Sequence, residues 1–384
     1  MKNNYTQLMG MLFLSMLSMG AMAQLSTPPG GGNQKSVVRQ YIGNVPYVEV
    51  VYNSPDITGP NGQSRKGQIW GQLVPYGFTS QGFGLSTPDN PSPWRAGANQ
   101  NTTIEFSHDM LVEGKEIKAG KYGFHIAPAE EGPWTLIFSK DNNHWGSFFY
   151  TEENDALRVE VETAETEFTE WLTYDFIDRQ PNSTMLALKW DELSVPFRIE
   201  VPNNTAIHIA KIQEELNNNL GFTWTNFQGA ANYAMGAGEL EKALEWADQA
   251  ISAPFVGQKN FATMQTKANV LNAMGKSDES LGIMAEAVEL PGATAFALHA
   301  YGRQLIAADQ KDEALAIFKK NHKRNNGIWP TNYGLARGYS ALGNYKQALK
   351  YMELAKANVP PGDTLNPPVI DQNIEKLKKG EDIN

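Results

Sequence analysis

The sequence predicts an all-β, jelly-roll-like sandwich over residues 24–201 followed by an all-α solenoid of stacked helix pairs over residues 202–384, behind a signal peptide over residues 1–23. Three observations carry this reading. Between residues 37 and 201 apolar side chains recur at every second position; past Pro202 they fall at helical spacing and one short element repeats; and the first residues place one cation, Lys2, ahead of an apolar run over residues 8–22.

The apolar run ends in Ala21-Met22-Ala23, a small-x-small cleavage pattern that puts the mature N-terminus at Gln24. The run is too short for a retained span, and no later run reaches membrane-crossing length, so the expectation is an exported protein, periplasmic or extracellular, that does not span the membrane. Cysteine is absent, which leaves neither a disulfide framework nor a lipid-carrying N-terminal cysteine. Over residues 24–201, 13 Lys and Arg stand against 23 Asp and Glu, a net of −10; over residues 202–384 the counts are 18 and 19, a net of −1. An acidic first half repels phosphate backbones, so no nucleic-acid partner is expected.

In the first half Val159 and Val161 alternate with Arg158, Glu160 and Glu162, while Tyr122, Phe124 and Ile126 alternate with Lys121, Gly123 and His125. Period two means strands with one buried face. Turn signals at Glu113-Gly114, Ala119-Gly120, Glu131-Gly132-Pro133 and Asp141-Asn142-Asn143 cut the run into short strands, the mark of an antiparallel sandwich.

In the second half the element Gly-x-x-x-x-Ala-Leu recurs from Gly238, from Gly275 with Ser280 for alanine, from Asp309 in place of glycine, and from Gly343, at intervals of 37, 34 and 34. Seven residues before these anchors lie Ala231, Ala268, Gly302 and Ala336; twelve after them lie Ala250, Ala287, Asn321 and Ala355. Small side chains there let paired helices approach closely. The pattern resembles the tetratricopeptide repeat family, with Ser280 and Asn321 as departures and residues 254–259 as a short insertion. Residues 207–220 and 369–379 are expected to cap the two ends. The resemblance implies a groove lined by the first helix of each pair, hence by Gln228, Gln265, His299 and Tyr333 in one column and Asn232, Asn269, Arg303 and Arg337 in another. Amides and guanidiniums suit the backbone and carboxylates of a protein or peptide partner, although the same residues fit an ordinary solvated face.

The first half carries Gly71-Gln-Leu-Val-Pro-Tyr-Gly77, Trp94-Arg95-Ala96-Gly97-Ala98-Asn99, Gly114-Lys115, Ala119-Gly120-Lys121-Tyr122, Trp145-Gly146, Tyr150 and Asp155 in order. That string resembles the exported bacterial family known as domain of unknown function 2911, which implies no activity. Residues 78–91 and His125 have no assigned place in it. The Trp94–Asn99 string admits two readings. Arg95 binds an anionic ligand with Trp94 and Asn99, or it pairs with an acid such as Glu105 or Asp155 and the string is a packed corner.

No G-x-S-x-G elbow, phosphate-binding loop or dinucleotide fingerprint occurs, and the six histidines form no metal-ligand spacing, so neither a metal nor a cofactor is expected. The functional expectation is a non-catalytic scaffold. Its repeats hold a protein or peptide, and its sandwich contacts a glycan or other envelope component through Trp94, Arg95, Asn99, His125 and Asp155. The competing expectation is a periplasmic hydrolase built around Arg95 and His125.

Overall fold

The computed structural model describes residues 32–384 except residue 60, and the signal-peptide reading lies outside the described residues. The chain divides into two compact units, with the boundary in the sequence between Ile207 and His208.

The N-terminal unit is a two-sheet antiparallel sandwich. Its strands are β1 Gln34–Tyr41, β2 Tyr47–Ser54, β3 Thr102–Phe106, β4 Met110–Val112, β5 Lys115–Ile117, β6 Gly120–Ala127, β7 Trp134–Ser139, β8 Asp155–Val161, β9 Ala164–Ile177 and β10 Ser183–Glu200. One sheet runs β1-β2-β3-β6-β7-β8 and the other β5-β4-β10-β9. The alternating apolar positions face a single core: Val48 and Val50, Ile104 and Phe106, Phe124 and Ile126, Leu136 and Phe138 from the larger sheet meet Leu172, Tyr174, Leu186, Leu188 and Phe197 from the smaller.

Strand β10 shows why its sequence alternates in two phases. Inward residues are even-numbered through Leu186, Leu188 and Trp190, then odd-numbered through Val195, Phe197 and Ile199. Register shifts on either side of Asp191, whose φ is +58°, switch the phase. A bulge of this kind bends a strand and re-aims a side chain; here it ends the even series on Trp190. The connection from β2 to β3, residues 55–101, holds no long strand. It is closed by short bridges such as Thr79↔Ser92 and by Leu85 N donating to Phe148 O at 2.7 Å.

The C-terminal unit consists of helices α1 Asn204–Leu216, which begins in the first unit, then α2 Trp224–Gly236 with α3 Leu240–Ser252, α4 Phe261–Ala273 with α5 Ser277–Ala287, α6 Ala295–Ala307 with α7 Lys311–Arg324, α8 Trp329–Ala341 with α9 Tyr345–Ala357, and α10 Asn366–Lys378. All four anchors sit in the turns inside the pairs, with φ of +82° at Gly238, +77° at Gly275, +60° at Asp309 and +74° at Gly343. A left-handed residue ends one helix and reverses the chain, and glycine takes that conformation without steric cost. The small residues are buried as the spacing requires: Ala231, Ala250, Ala268, Ala287, Ala336 and Ala355 are at most 1% exposed.

Both departures from alanine are buried and hydrogen-bonded. Ser280 Oγ donates to Ala268 O at 2.7 Å, and Asn321 Nδ2 donates to Ala295 O at 2.8 Å, so each polar side chain bridges to the first helix of its own pair. At the third joint Phe318, fully buried, fills space that three glycines leave open. A Cβ on Gly302 would collide with its ring, and Cβ atoms on Gly334 and Gly338 would come within 2.7 and 2.9 Å of it.

Candidate binding sites

Residues 93–103 form a strained corner that is also the wall of a cavity. Trp94 bridges Ile126 with both backbone hydrogen bonds at 2.9 Å, which fixes one end of the string. Ala96 at φ +51° and Asn99 at +58° then turn the chain twice in the left-handed region, each costing on the order of 1 kcal/mol for a residue other than glycine. Surrounding bonds hold the corner: Ala96 O accepts from Thr102 Oγ1 at 2.9 Å and from Tyr174 OH at 2.8 Å, and Asn53 O accepts from Ala98 N at 3.1 Å. Gly97 is obligatory here because a Cβ would lie 2.7 Å from Thr102 Oγ1 and 3.2 Å from Asn53 O.

Arg95 is the charged group of the corner. Its Nη1 donates to Asn99 O at 2.9 Å and its guanidinium lies 5.8 Å from the Phe148 ring centroid. No acid pairs with it among the described residues. Glu105 instead accepts from Tyr47 OH at 2.7 Å, and Asp155 is bound to Arg158 at 2.6 Å. The packed-corner reading in which Arg95 pairs with one of those acids is therefore wrong, because both are committed elsewhere. Burial lowers the Arg95 pKa from its ordinary value, with no carboxylate to offset it.

Trp94, Arg95, Gly97, Ala98 and Asn99 line a cavity of about 860 Å³, with Trp190 from the β10 bulge and Thr58, Thr79, Ser80 and Gln81 from the long β2–β3 connection. Trp94 and Trp190 stack at 13° with ring centroids 6.3 Å apart, and Trp70 packs edge-on to both. The segment 78–91, which has no place in the sequence reading, supplies one wall. Trp190, not among the expected site residues, is fully buried behind Trp94, and its sequence signal is the switch from even to odd apolar positions around Asp191.

His125 and Asp155 do not line this cavity. His125 is 3% exposed, its Nδ1 lies 3.1 Å from Ser147 Oγ, and burial, then His144 and Arg95, pull its pKa down to about 3. Asp155 accepts from Tyr150 OH at 2.8 Å and from Arg158; burial raises its pKa and those two partners counter the rise. The grouping of His125 and Asp155 with Trp94, Arg95 and Asn99 is thus corrected. A buried neutral imidazole cannot exchange protons with a substrate in the cavity, and Asp155 belongs to a separate Tyr150–Asp155–Arg158 cluster.

In the helical unit the two columns separate by what they touch. Gln228 Nε2 donates to Ala262 O and Thr266 Oγ1, both at 3.0 Å, and so ties α2 to α4. His299 stacks on Tyr333 at 17°, its Nδ1 lies 3.1 Å from Pro330 O, and burial, then Arg337, lower its pKa to about 4. Tyr333 OH accepts from Arg337 and from Asn373 Nδ2 at 2.8 Å. Arg337 also donates from Nη1 to Ile383 O at 3.2 Å, while Ser340 Oγ donates to Asp382 Oδ1 at 2.6 Å and Ile383 is 6% exposed among apolar residues of α8 and α10. Four expected groove residues, Gln228, His299, Tyr333 and Arg337, are therefore internal cross-links, because long polar side chains on stacked helices reach their neighbours before they reach a partner. Asn232, Asn269 and Arg303 are exposed, and Gln265 is half-buried.

Residues 33–199 match the family model described as Protein of unknown function (DUF2911). That match spans the strands of the sandwich and ends before the first helix of the second unit. No curated protein matches the chain. Among solved structures the chain is similar to YrrB, described as a TPR protein with an unusual peptide-binding site, at 21% identity over 45% of this chain and 84% of that one, TM-score 0.34. It is also similar to a tetratricopeptide repeat protein from Parabacteroides merdae, at 18% identity over 44% and 63%, TM-score 0.35, and to MamA, at 17% identity over 42% and 83%, TM-score 0.34. All three matches concern the helix pairs that follow the sandwich.

Proposed function

We propose that the chain is an exported, non-catalytic binding protein whose helix pairs hold an extended protein segment and whose sandwich contacts an envelope component. The observation that carries the peptide reading is the exposed series Asn232, Asn269, Arg303, one residue on the first helix of each of three successive pairs. Amide, amide and guanidinium at repeating positions can bond the backbone and acidic side chains of an extended chain. The fourth position supports it by example: Arg337 already grips the backbone of an Asp382-Ile383-Asn384 segment, and Asn384 Nδ2 returns a bond to Arg337 O at 3.1 Å. Export rests on the apolar run and cleavage pattern of residues 1–23.

The test is fluorescence polarisation of labelled extended peptides, acidic and neutral, against the full chain and an Asn269→Ala/Arg303→Ala variant. Preference for acidic peptides, lost in the variant with its helical signal intact, is expected. Equal binding by parent and variant overturns the assignment of the groove.

A further inference from the structure

Among the described charged side chains around the cavity of the sandwich, only Arg95 has no answering charge. Asp56 and Arg65 face each other at 3.8 Å, and Arg65 further spends Nε on Ile57 O at 3.0 Å and Nη2 on Asp56 O at 2.9 Å. Arg95 uses Nη1 alone, on Asn99 O, so the Nε–Nη2 edge of its fork is without a partner among the described residues. Two parallel donors on one edge match the two oxygens of a carboxylate. Among the described residues Asp56 is the one carboxylate lining the cavity; it faces Arg65, and no acid pairs with Arg95.

The rest of the wall narrows the ligand. Asn99 Nδ2, at the cavity wall beside Arg95, is a further buried donor with no acceptor among the described residues. Thr58, Thr79, Ser80 and Gln81 add hydroxyl and amide groups, and half-buried Trp94, backed from within the core by fully buried Trp190, adds apolar ring surface. A fatty acid would leave the hydroxyls and amide unmatched. A zwitterionic amino acid would need an acid for its ammonium, and Asp56 is already answered by Arg65. A compact ring with many hydroxyls, one apolar face and one carboxylate meets all three parts of the wall. At about 860 Å³ the cavity lies in the range of small-molecule sites.

We propose that this cavity binds a carboxylate-bearing sugar of the uronate type, with the carboxylate on the Nε–Nη2 edge of Arg95, the ring against Trp94 and the hydroxyls on residues 79–81. The corner is built to hold that edge still. Its two left-handed residues and the fit of Gly97 against Thr102 leave the backbone at Arg95 one conformation, which lowers the entropy lost when a ligand docks. The proposal deepens the reading of the sandwich as the part that contacts an envelope component, and is independent of the peptide groove.

Titrate the full chain with glucuronate, galacturonate, neutral galactose, acetate and sulfate, following tryptophan fluorescence and calorimetric heat. At least one uronate should bind, galactose, acetate and sulfate about tenfold or more weaker, and Arg95→Lys should weaken uronate binding by about tenfold or more, because lysine keeps the charge and loses the fork. Should Arg95→Lys melt at a lower temperature than the parent, Gln81→Ala, on the cavity rim rather than in the core, replaces it, with weaker uronate binding expected and acetate unaffected. Acetate or sulfate binding as tightly as the uronates, galactose binding equally well, or no uronate binding at all each overturns the proposal. The peptide assay on Arg303 reads the other half of the proposed function, so failure here and failure there are distinguishable.

Discussion

Replacing Asn321 by alanine would make the third repeat look more like its neighbours, yet the structure argues that Asn321→Ala destabilises the helical unit. The side chain is fully buried, its Nδ2 holds Ala295 O at 2.8 Å, and its Oδ1 receives Asn325 Nδ2 at 2.7 Å. Truncation removes two hydrogen bonds of about 1 kcal/mol each. Asn325 Nδ2 retains a 3.2 Å bond to Asn321 O, and Ala295 O keeps its place at the start of a helix, so neither partner is fully stranded. The void left by the amide adds to the cost. The expected loss is about 2–3 kcal/mol, or about 4–12 °C in the transition of a unit of this size. Thermal and urea unfolding followed by far-ultraviolet circular dichroism measure it. A melting temperature equal to or above the parent's would refute the claim that this buried amide is a joint rather than a flaw in the repeat.

Gly97→Ala should cost the sandwich about 1–3 kcal/mol, since the new methyl meets Thr102 Oγ1 at 2.7 Å; differential scanning calorimetry would show it as a shift confined to one transition. His125 is neutral in the fold with a pKa of about 3 against 6.5 when exposed, so the unfolded chain binds more protons in that window. The sandwich should lose stability as pH falls from about 6.5 toward 3, by at most about 1.4 kcal/mol per pH unit for this group, and His125→Phe should flatten that part of the urea-midpoint profile. Arg303→Ala should leave the helical unit within about 0.5 kcal/mol of the parent, whereas Arg337→Ala, which frees the Asp382–Asn384 segment, should lower its midpoint; equal effects would erase the distinction drawn between them.

What the sequence discloses and what it hides follow from the range of the interactions involved. Period-two alternation and the four anchors are local, set by strand pleat and by a residue that must turn left-handed, so the sandwich and the helix pairs are legible from spacing. Gln228 and Tyr333 look like groove residues because position on a helix face is local too, but their partners, Thr266 and Asn373, lie far along the chain. The isolation of Arg95 is a property of where Glu105 and Asp155 point, which no spacing reports. The cavity wall from residues 79–81 comes from a connection with almost no periodic signal, and it is placed by bonds to Phe148 and Ser92 rather than by a strand register.

The three glycines around Phe318 have a consequence for how this chain can drift. Any one of Gly302, Gly334 or Gly338 gaining a methyl meets the same ring, and shrinking the ring alone opens a void bounded by all three. Acceptable change at this joint is therefore concerted: a smaller residue at 318 first, larger ones opposite it afterwards, with every intermediate order penalised differently. The four positions behave as one inherited character, and a library that randomises them singly would report each as immutable.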